Sequence, residues 1–382
     1  MMKRLVIYVV GLALLVVAGC RDSLSDTLPG SAVLNANEVE LHIGLHVPGS
    51  FQSGLRAISD DDESAIRSIN VLAFKVDPGM EPAFMYSKPG TLYGANKDTL
   101  VVVAETKYDT LQQFVVIANA DAEIIELLQT DRRGVSKSNL LAQLKVSLNE
   151  GELWNVDETT FKALPMWGES VPAVITKETG SIHGIEGDDD SPIELLRMVA
   201  RINVKVTDIA LVLNKFKLDS VYLFNSNAAG LIVPDTANVG RNANGEVCVT
   251  APSIPPGLEM KRGKDAYVVY PASNDLLMEN TIYTFESDAV AHTAQDKATC
   301  VVIGGRFNGS VTITYYRVDF VNSSDNYFPL LRNYQYNINI KDVTGAGYDT
   351  VEEAFGAKSV SFITTNITTP WETETQDEEL DL

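Results

Sequence analysis

From residue 39 to residue 47 apolar and polar positions alternate: Val39, Leu41, Ile43, Leu45 and Val47 are separated by Glu40, His42, Gly44 and His46. A period of two puts one set of side chains on one face of an extended chain, so this segment is expected to be a half-buried strand. The same reasoning predicts strands over 69–76, 99–104 and 114–118. In 121–129 the residues Ile124, Ile125, Leu127 and Leu128 fall at helical spacing, which predicts a helix capped by Asp121. A second helix is expected around 139–148. The second half is richer in strand signals, with expected strands over 198–206, 217–224, 266–270, 300–303, 311–320, 333–342 and 359–367. Turn chemistry separates them, as in Pro255-Pro256-Gly257, Asn308-Gly309 and Gly345-Ala346-Gly347. Many short punctuated strands predict an all-β chain of sandwich type with a few short helices. The loop over 180–192, with Asp188, Asp189 and Asp190, is the expected boundary between two domains.

The first residues follow another pattern. Lys3 and Arg4 precede an apolar run over 5–17, which ends in Val17-Ala18-Gly19-Cys20. The run is shorter than the ~20 residues a membrane-crossing helix needs and fits a signal peptide. Its end resembles the bacterial lipobox, so Cys20 is the expected lipid acceptor and residues 1–19 the expected signal peptide. Arg21, not Asp, follows the cysteine, which points to the outer membrane. Residues 48–63 then break the strand pattern with Pro48, Gly49, Gly54 and the acidic run Asp60-Asp61-Asp62-Glu63. This segment reads as an exposed linker. Its acidic run lacks the spacing and glycine of a calcium loop.

Composition narrows the function. The chain has 382 residues, 45% hydrophobic and 21% charged, with a net charge of −21. That is a globular composition whose surface repels nucleic acid and anionic lipid. Cys248 and Cys300 remain besides Cys20, either as a disulfide or as two buried thiols. His42 and His46 lie four apart on an expected strand, about 13 Å, too far to share one ion. No metal or cofactor site is expected. Gly257 to Lys264 only superficially resembles a phosphate loop, because Asp265 stands where a hydroxyl must hold magnesium. The nucleophile-elbow, zinc-protease and dinucleotide motifs are absent, so no catalytic residue is assigned.

Several stretches form a set in order along the chain. They are the lipobox at Cys20, Gly54-Leu55-Arg56-Ala57 with the acidic residues after it, and Ile69-Asn70-Val71-Leu72-Ala73-Phe74. Phe114-Val115-Val116-Ile117-Ala118-Asn119-Ala120 and Leu164-Pro165-Met166-Trp167-Gly168 follow. The last are Leu196-Arg197-Met198-Val199-Ala200-Arg201-Ile202, Arg332-Asn333-Tyr334-Gln335-Tyr336 and Gly347-Tyr348. Together they resemble the fimbrillin family, the subunits of type V pili of Gram-negative bacteria. The resemblance implies two transthyretin-like β-sandwich domains. It also implies export as an outer-membrane lipoprotein precursor and cleavage by an arginine-specific protease, here between Arg56 and Ala57. Cleavage would remove the first strand and open a groove, which the C-terminal strand of another fimbrial subunit would fill. The expected organisation is a signal peptide (1–19), a lipidated propeptide with the removable strand (20–56), an N-terminal sandwich (57–190), a C-terminal sandwich with the donor strand (191–371) and an acidic tail (372–382). Donor candidates are Val360, Phe362, Ile363, Ile367 and Trp371, the last equally readable as a core residue. The function expected is a non-enzymatic structural subunit of a cell-surface fimbrium that supports adhesion, with a stalk position favoured. Alternatives are a tip or accessory adhesin binding a host protein or glycan, and a surface glycan-binding lipoprotein of a nutrient-uptake system.

Overall fold

The computed structural model describes residues 34–48, 63–93, 98–107, 110–149, 152–154, 162–182, 184, 191–206, 215–242, 245–258, 263–272, 274–321, 327–357 and 363–368. Strands dominate, and they form two two-sheet sandwiches in succession.

The first sandwich uses β1 (Glu38–His46), β2 (Ile69–Val76), β3 (Ala83–Pro89), β4 (Thr91–Tyr93), β5 (Thr99–Glu105) and β6 (Leu111–Ala118). It is completed by β7 (Lys145–Ser147), β8 (Met166–Glu169), β9 (Ala173–Val174), β10 (Ile193–Glu194) and β11 (Leu196–Arg197). One sheet runs β10-β1-β5-β4; the other runs β11-β8-β6-β2-β3, with β9 beside β6. Both sheets have a buried face because their inward residues share one core. Leu41, Ile43, Leu100 and Val102 from one sheet meet Val71, Ala73, Phe114 and Val116 of the other in that core. Gly168 is required there. A Cβ would lie 2.5 Å from the Glu194 carbonyl oxygen and 2.6 Å from Ile193, so only glycine lets β8 come this close to β10.

The second sandwich begins with β12 (Ala200–Val206), β13 (Phe216–Phe224) and β17 (Tyr267–Pro271). Between the last two, β14 (Ala229–Leu231) pairs with β7, β15 (Val239–Arg241) pairs with β16 (Val247–Val249), and Ile232, Val233 and Val249 join the first core. The chain continues through β18 (Leu277–Thr284), β19 (Cys300–Phe307), β20 (Ile313–Asp319), β21 (Gln335–Val343) and β22 (Ile363–Thr368). Its sheets run β18-β12-β21-β22 and β17-β13-β19-β20. Strand pairing passes from the first sandwich to the second between Arg197, which pairs with Met166, and Ala200, which pairs with Thr284.

The all-β expectation holds, with corrections at several elements. The first helix, α1, spans Asp121–Leu127, and Ala120 occupies the capping position without a side-chain bond. Asp121 instead accepts from the Asn70 amide at 2.6 Å. Ile124 and Leu127 carry its buried face, while Ile125 points outward. The second helix, α2, is only Lys137–Leu141. The chain then becomes β7, pairing with β14, because Val146 is buried between exposed Lys145 and Ser147. Leucines at 140, 141 and 144 suit a helix, but the next apolar position follows a period of two. Val311 falls in the turn before β20 and is exposed. Strands β3, β4 and β18 had no strong alternation and were not anticipated. A third short helix, α3 (Val351–Gly356), is capped by Thr350, whose hydroxyl accepts from the Glu353 amide. Cys248 and Cys300 are free thiols, the first partly exposed and the second buried, which settles the open pairing question.

Candidate functional site

Strand β1 lies inside its sheet, not at an edge. It pairs antiparallel with β5 from Glu38↔Glu105 to Gly44↔Thr99, and parallel with β10 at Leu45↔Ile193 and His46↔Glu194. The ladder is extended by Leu45 donating to the Asp98 carbonyl at 2.7 Å and by Leu195 donating to the His46 carbonyl at 2.7 Å. Val39, Leu41, Ile43 and Leu45 enter the core, and Leu41 and Ile43 are fully buried. Burial of four such side chains is worth roughly 6–12 kcal/mol as an upper estimate. The outward residues are polar and locally paired. Glu40 meets His42 at 3.0 Å, and Lys88 bridges Glu38 at 3.2 Å and Glu105 at 3.7 Å. The His42 ring is thus a partner of Glu40. Among the described residues no group of His, Cys, Asp or Glu is arranged to hold a metal ion.

The strand leaves the sheet at a polar cluster between the two sandwiches. Arg197, fully buried on β11, donates from Nη1 to the Pro48 carbonyl at 2.7 Å and to Asn333 Oδ1 at 3.1 Å. Its Nε donates to the Glu63 carbonyl at 3.1 Å and its Nη2 to the Ser64 hydroxyl at 3.0 Å. One guanidinium therefore touches both sides of the 49–62 segment. Glu63 was expected in an exposed acidic run; it is instead 1% exposed. Arg201 pairs with its carboxylate, and the Tyr283 hydroxyl donates to it. Burial, reinforced by the Glu63 charge, holds the Tyr283 hydroxyl well above its ordinary range, so the phenol stays a neutral donor. Downstream, Asn119 holds the same stretch. Its Oδ1 accepts from the Arg67 amide, and its Nδ2 donates to the Ala65 and Leu164 carbonyls, each at 2.8 Å. Asn119 sits at φ 58°, a left-handed conformation that asparagine tolerates.

Of the residues singled out in the sequence, Cys20, Arg56, Ala57, Val360, Phe362 and Trp371 lie outside the described residues. Ile363 and Ile367 lie on β22, the edge strand of the second sandwich, which pairs antiparallel with β21 from Asn337↔Thr368 to Val343↔Ile363. The candidate donor thus occupies a sheet of its own domain and is not brought to β1. Arg197, Arg201 and Asn333 were visible only as parts of longer stretches and carried no assigned role. Their signal was two arginines four apart inside an otherwise apolar run, which calls for buried acceptors.

Tyr222, Tyr267 and Tyr315 form a partly exposed aromatic cluster, with ring centroids 5.6 and 5.7 Å from Tyr222, whereas the described tryptophans are buried. A cavity of about 220 Å³ is lined by Trp154, Tyr267, Tyr270 and Phe285. Trp154 is 2% exposed, packs edge-to-face with Phe285, and spends its indole N–H on the Lys162 carbonyl. Trp167 is equally buried.

Two packed sheets per sandwich and an internal first strand define a β-sandwich class, and the fimbrillin resemblance read from the sequence is found again in both sequence and fold. The chain is 26% identical over 176 residues to the major fimbrium tip subunit FimE of Porphyromonas gingivalis, a match covering 45% of this chain and 29% of the relative. The chain therefore spans less than a third of the length of the curated relatives it matches. In structure it is similar to the tip fimbrial protein Mfa3 of Porphyromonas gingivalis, solved with a C-terminal truncation, at a TM-score of 0.51 and 14% identity, covering 87% of this chain and 99% of that one. A cell adhesion protein of Parabacteroides distasonis gives a TM-score of 0.50 at 15% identity, covering 88% and 99%. These structural likenesses establish the fold. No family model matches the sequence.

Proposed function

We propose that this chain is a non-enzymatic subunit of a cell-surface fimbrium, exported as a lipoprotein on Cys20 and assembled by strand exchange. An arginine-specific protease cuts after Arg56, the only basic residue in 49–62. The piece carrying β1 then leaves, and a strand from another subunit takes its place. The observation that carries this reading is β1 itself: an interior strand supplied by the segment upstream of the only arginine in that linker. Loss of β1 would uncover apolar core and leave the β5 edge unpaired, a combination that favours refilling. The downstream side is built to stay, since Glu63, Ser64, Ala65 and Arg67 are all held by side chains of the body.

The donor in this proposal is the segment 359–371. Being an edge strand, β22 can leave β21 at the cost of one ladder, whereas β1 has ladders on both sides. The proposed mature subunit carries both sandwiches, with strand pairing passing from the first to the second between Arg197 and Ala200. A tip or accessory position is the second reading. It is favoured because FimE and Mfa3 are both described as tip proteins. The glycan-uptake alternative is disfavoured by the burial of Trp154 and Trp167.

The test is assembly. Wild-type chain cut after Arg56 is expected to form ladders that survive mild detergent, and Arg56→Ala chain to stay monomeric. A chain lacking 359–382 is expected to be cut normally yet to stop growth. Normal ladders from Arg56→Ala would remove the protease step from the account.

A further inference from the structure

Arg197 stands at the end of the slot that β1 fills. The 193–197 segment follows β1 step by step: Ile193 and Glu194 pair with Leu45 and His46, the Leu195 amide takes the His46 carbonyl, and the Arg197 guanidinium takes the Pro48 carbonyl at 2.7 Å. The last contact differs in kind from those before it. It is a side-chain contact from a charged group that is completely buried, and the same guanidinium also donates to Asn333, Glu63 and Ser64, which belong to the body. If β1 and Pro48 leave, the body keeps three of these partners and the guanidinium loses the carbonyl. An incoming segment that supplies a carbonyl at that point restores this charge-assisted bond as it excludes water, whereas one that covers the guanidinium without a carbonyl leaves a buried cationic N–H short of an acceptor.

We propose that Arg197 is the seating residue of the exchange site. It binds a main-chain carbonyl two residues beyond the last ladder pair of whichever extended segment replaces β1. The inference rests on the strand-exchange reading. Alternating side chains fix which face of an incoming strand turns inward, but a shift of two residues preserves that alternation. A strand that enters two residues short satisfies the apolar pockets it reaches yet presents no carbonyl to Arg197. The guanidinium thus favours full insertion over partial insertion, and it does so without reading any side chain. The slot accordingly takes an extended segment that continues past its last inward residue.

The test needs no change to the protein in its first arm. The full chain is cut after Arg56 and offered two synthetic peptides in direct competition. Both carry residues 38–47 of the native strand. One ends in Pro48 as the amide; the other ends in pyrrolidine, which keeps the ring and the Val47 carbonyl but lacks the Pro48 carbonyl. The expected result is about a tenfold preference for the prolinamide peptide. Arg197→Lys, which keeps the charge but not the fork, is expected to shrink that preference, and Arg197→Gln to shrink it further. Equal competition on the wild-type chain, or an unchanged preference on a folded Arg197→Gln chain, overturns the assignment of Arg197. Binding of neither peptide to the cut chain refutes strand exchange itself, and the inference falls with it. If an Arg197 variant does not fold, the wild-type comparison decides alone.

Discussion

Buried charge in this chain is placed where backbone must be held, and the clearest case is Arg332. Its guanidinium donates twice to Glu286 Oε2, at 2.7 and 2.9 Å, and to the Leu231 and Ile232 carbonyls at 2.9 and 2.8 Å. Both partners are within 2% of complete burial. Removing one side leaves an uncompensated buried charge, which costs about 3–5 kcal/mol. Glu286→Ala is therefore expected to lower the thermal midpoint by several degrees, measured by calorimetry, while Lys217→Ala, at an exposed pair with Asp275, is expected to leave it nearly unchanged. The thiols allow a second check. Burial pushes the Cys300 thiol up to about 12, and it also raises Cys248, which is only partly covered. Alkylation of the native chain at mildly alkaline pH, mapped by mass spectrometry, is expected to spare Cys300 and to reach Cys248 slowly. A Cys248–Cys300 disulfide in the non-reduced peptide map would contradict the free-thiol arrangement.

The strands show what a sequence can and cannot disclose. β1 was legible to within a residue because its period of two spans a strand with one face buried. β13 and β21 were found for the same reason. β3 and β18 were missed, since the mixed residues of Ala83–Pro89 and Leu277–Thr284 offer no alternation; β3 is placed by a hairpin with β2, and β18 by its distant partner β12. The helix expected around 139–148 forms only to Leu141, because short apolar runs fit either period; pairing with Ala229–Leu231 decided the outcome for Lys145–Ser147. The strand half of the candidate site was thus written locally. The arginine cluster was not, because Glu63 and Tyr283 come together only through the fold. Two substitutions separate the faces of these elements. Leu41→Ala in β1 removes a fully buried side chain and is expected to cost about 2–5 kcal/mol. Ile125→Ala on the exposed side of α1 is expected to change stability by less than about 0.5 kcal/mol. Denaturant titration of both variants checks the pair.

At the scale of the molecule, the proposed assembly unit joins an anchored leader and a removable strand to the two successive sandwiches. The leader has its own test: Cys20→Ala is expected to abolish incorporation of a palmitate analogue in the bacterium, and equal label in mutant and wild type would contradict lipidation there. The central claim is that the place of β1 becomes a vacancy only after the linker is cut. While the linker is intact, β1 is tethered to its slot and its effective concentration excludes a donor from solution. A fluorescent peptide spanning residues 359–371 measures this directly, added to chains lacking 359–382 that are either cut after Arg56 or carry Arg56→Ala. The account predicts saturable binding to the cut chain and none to the uncut variant. Equal binding to both, or binding to neither, would contradict it.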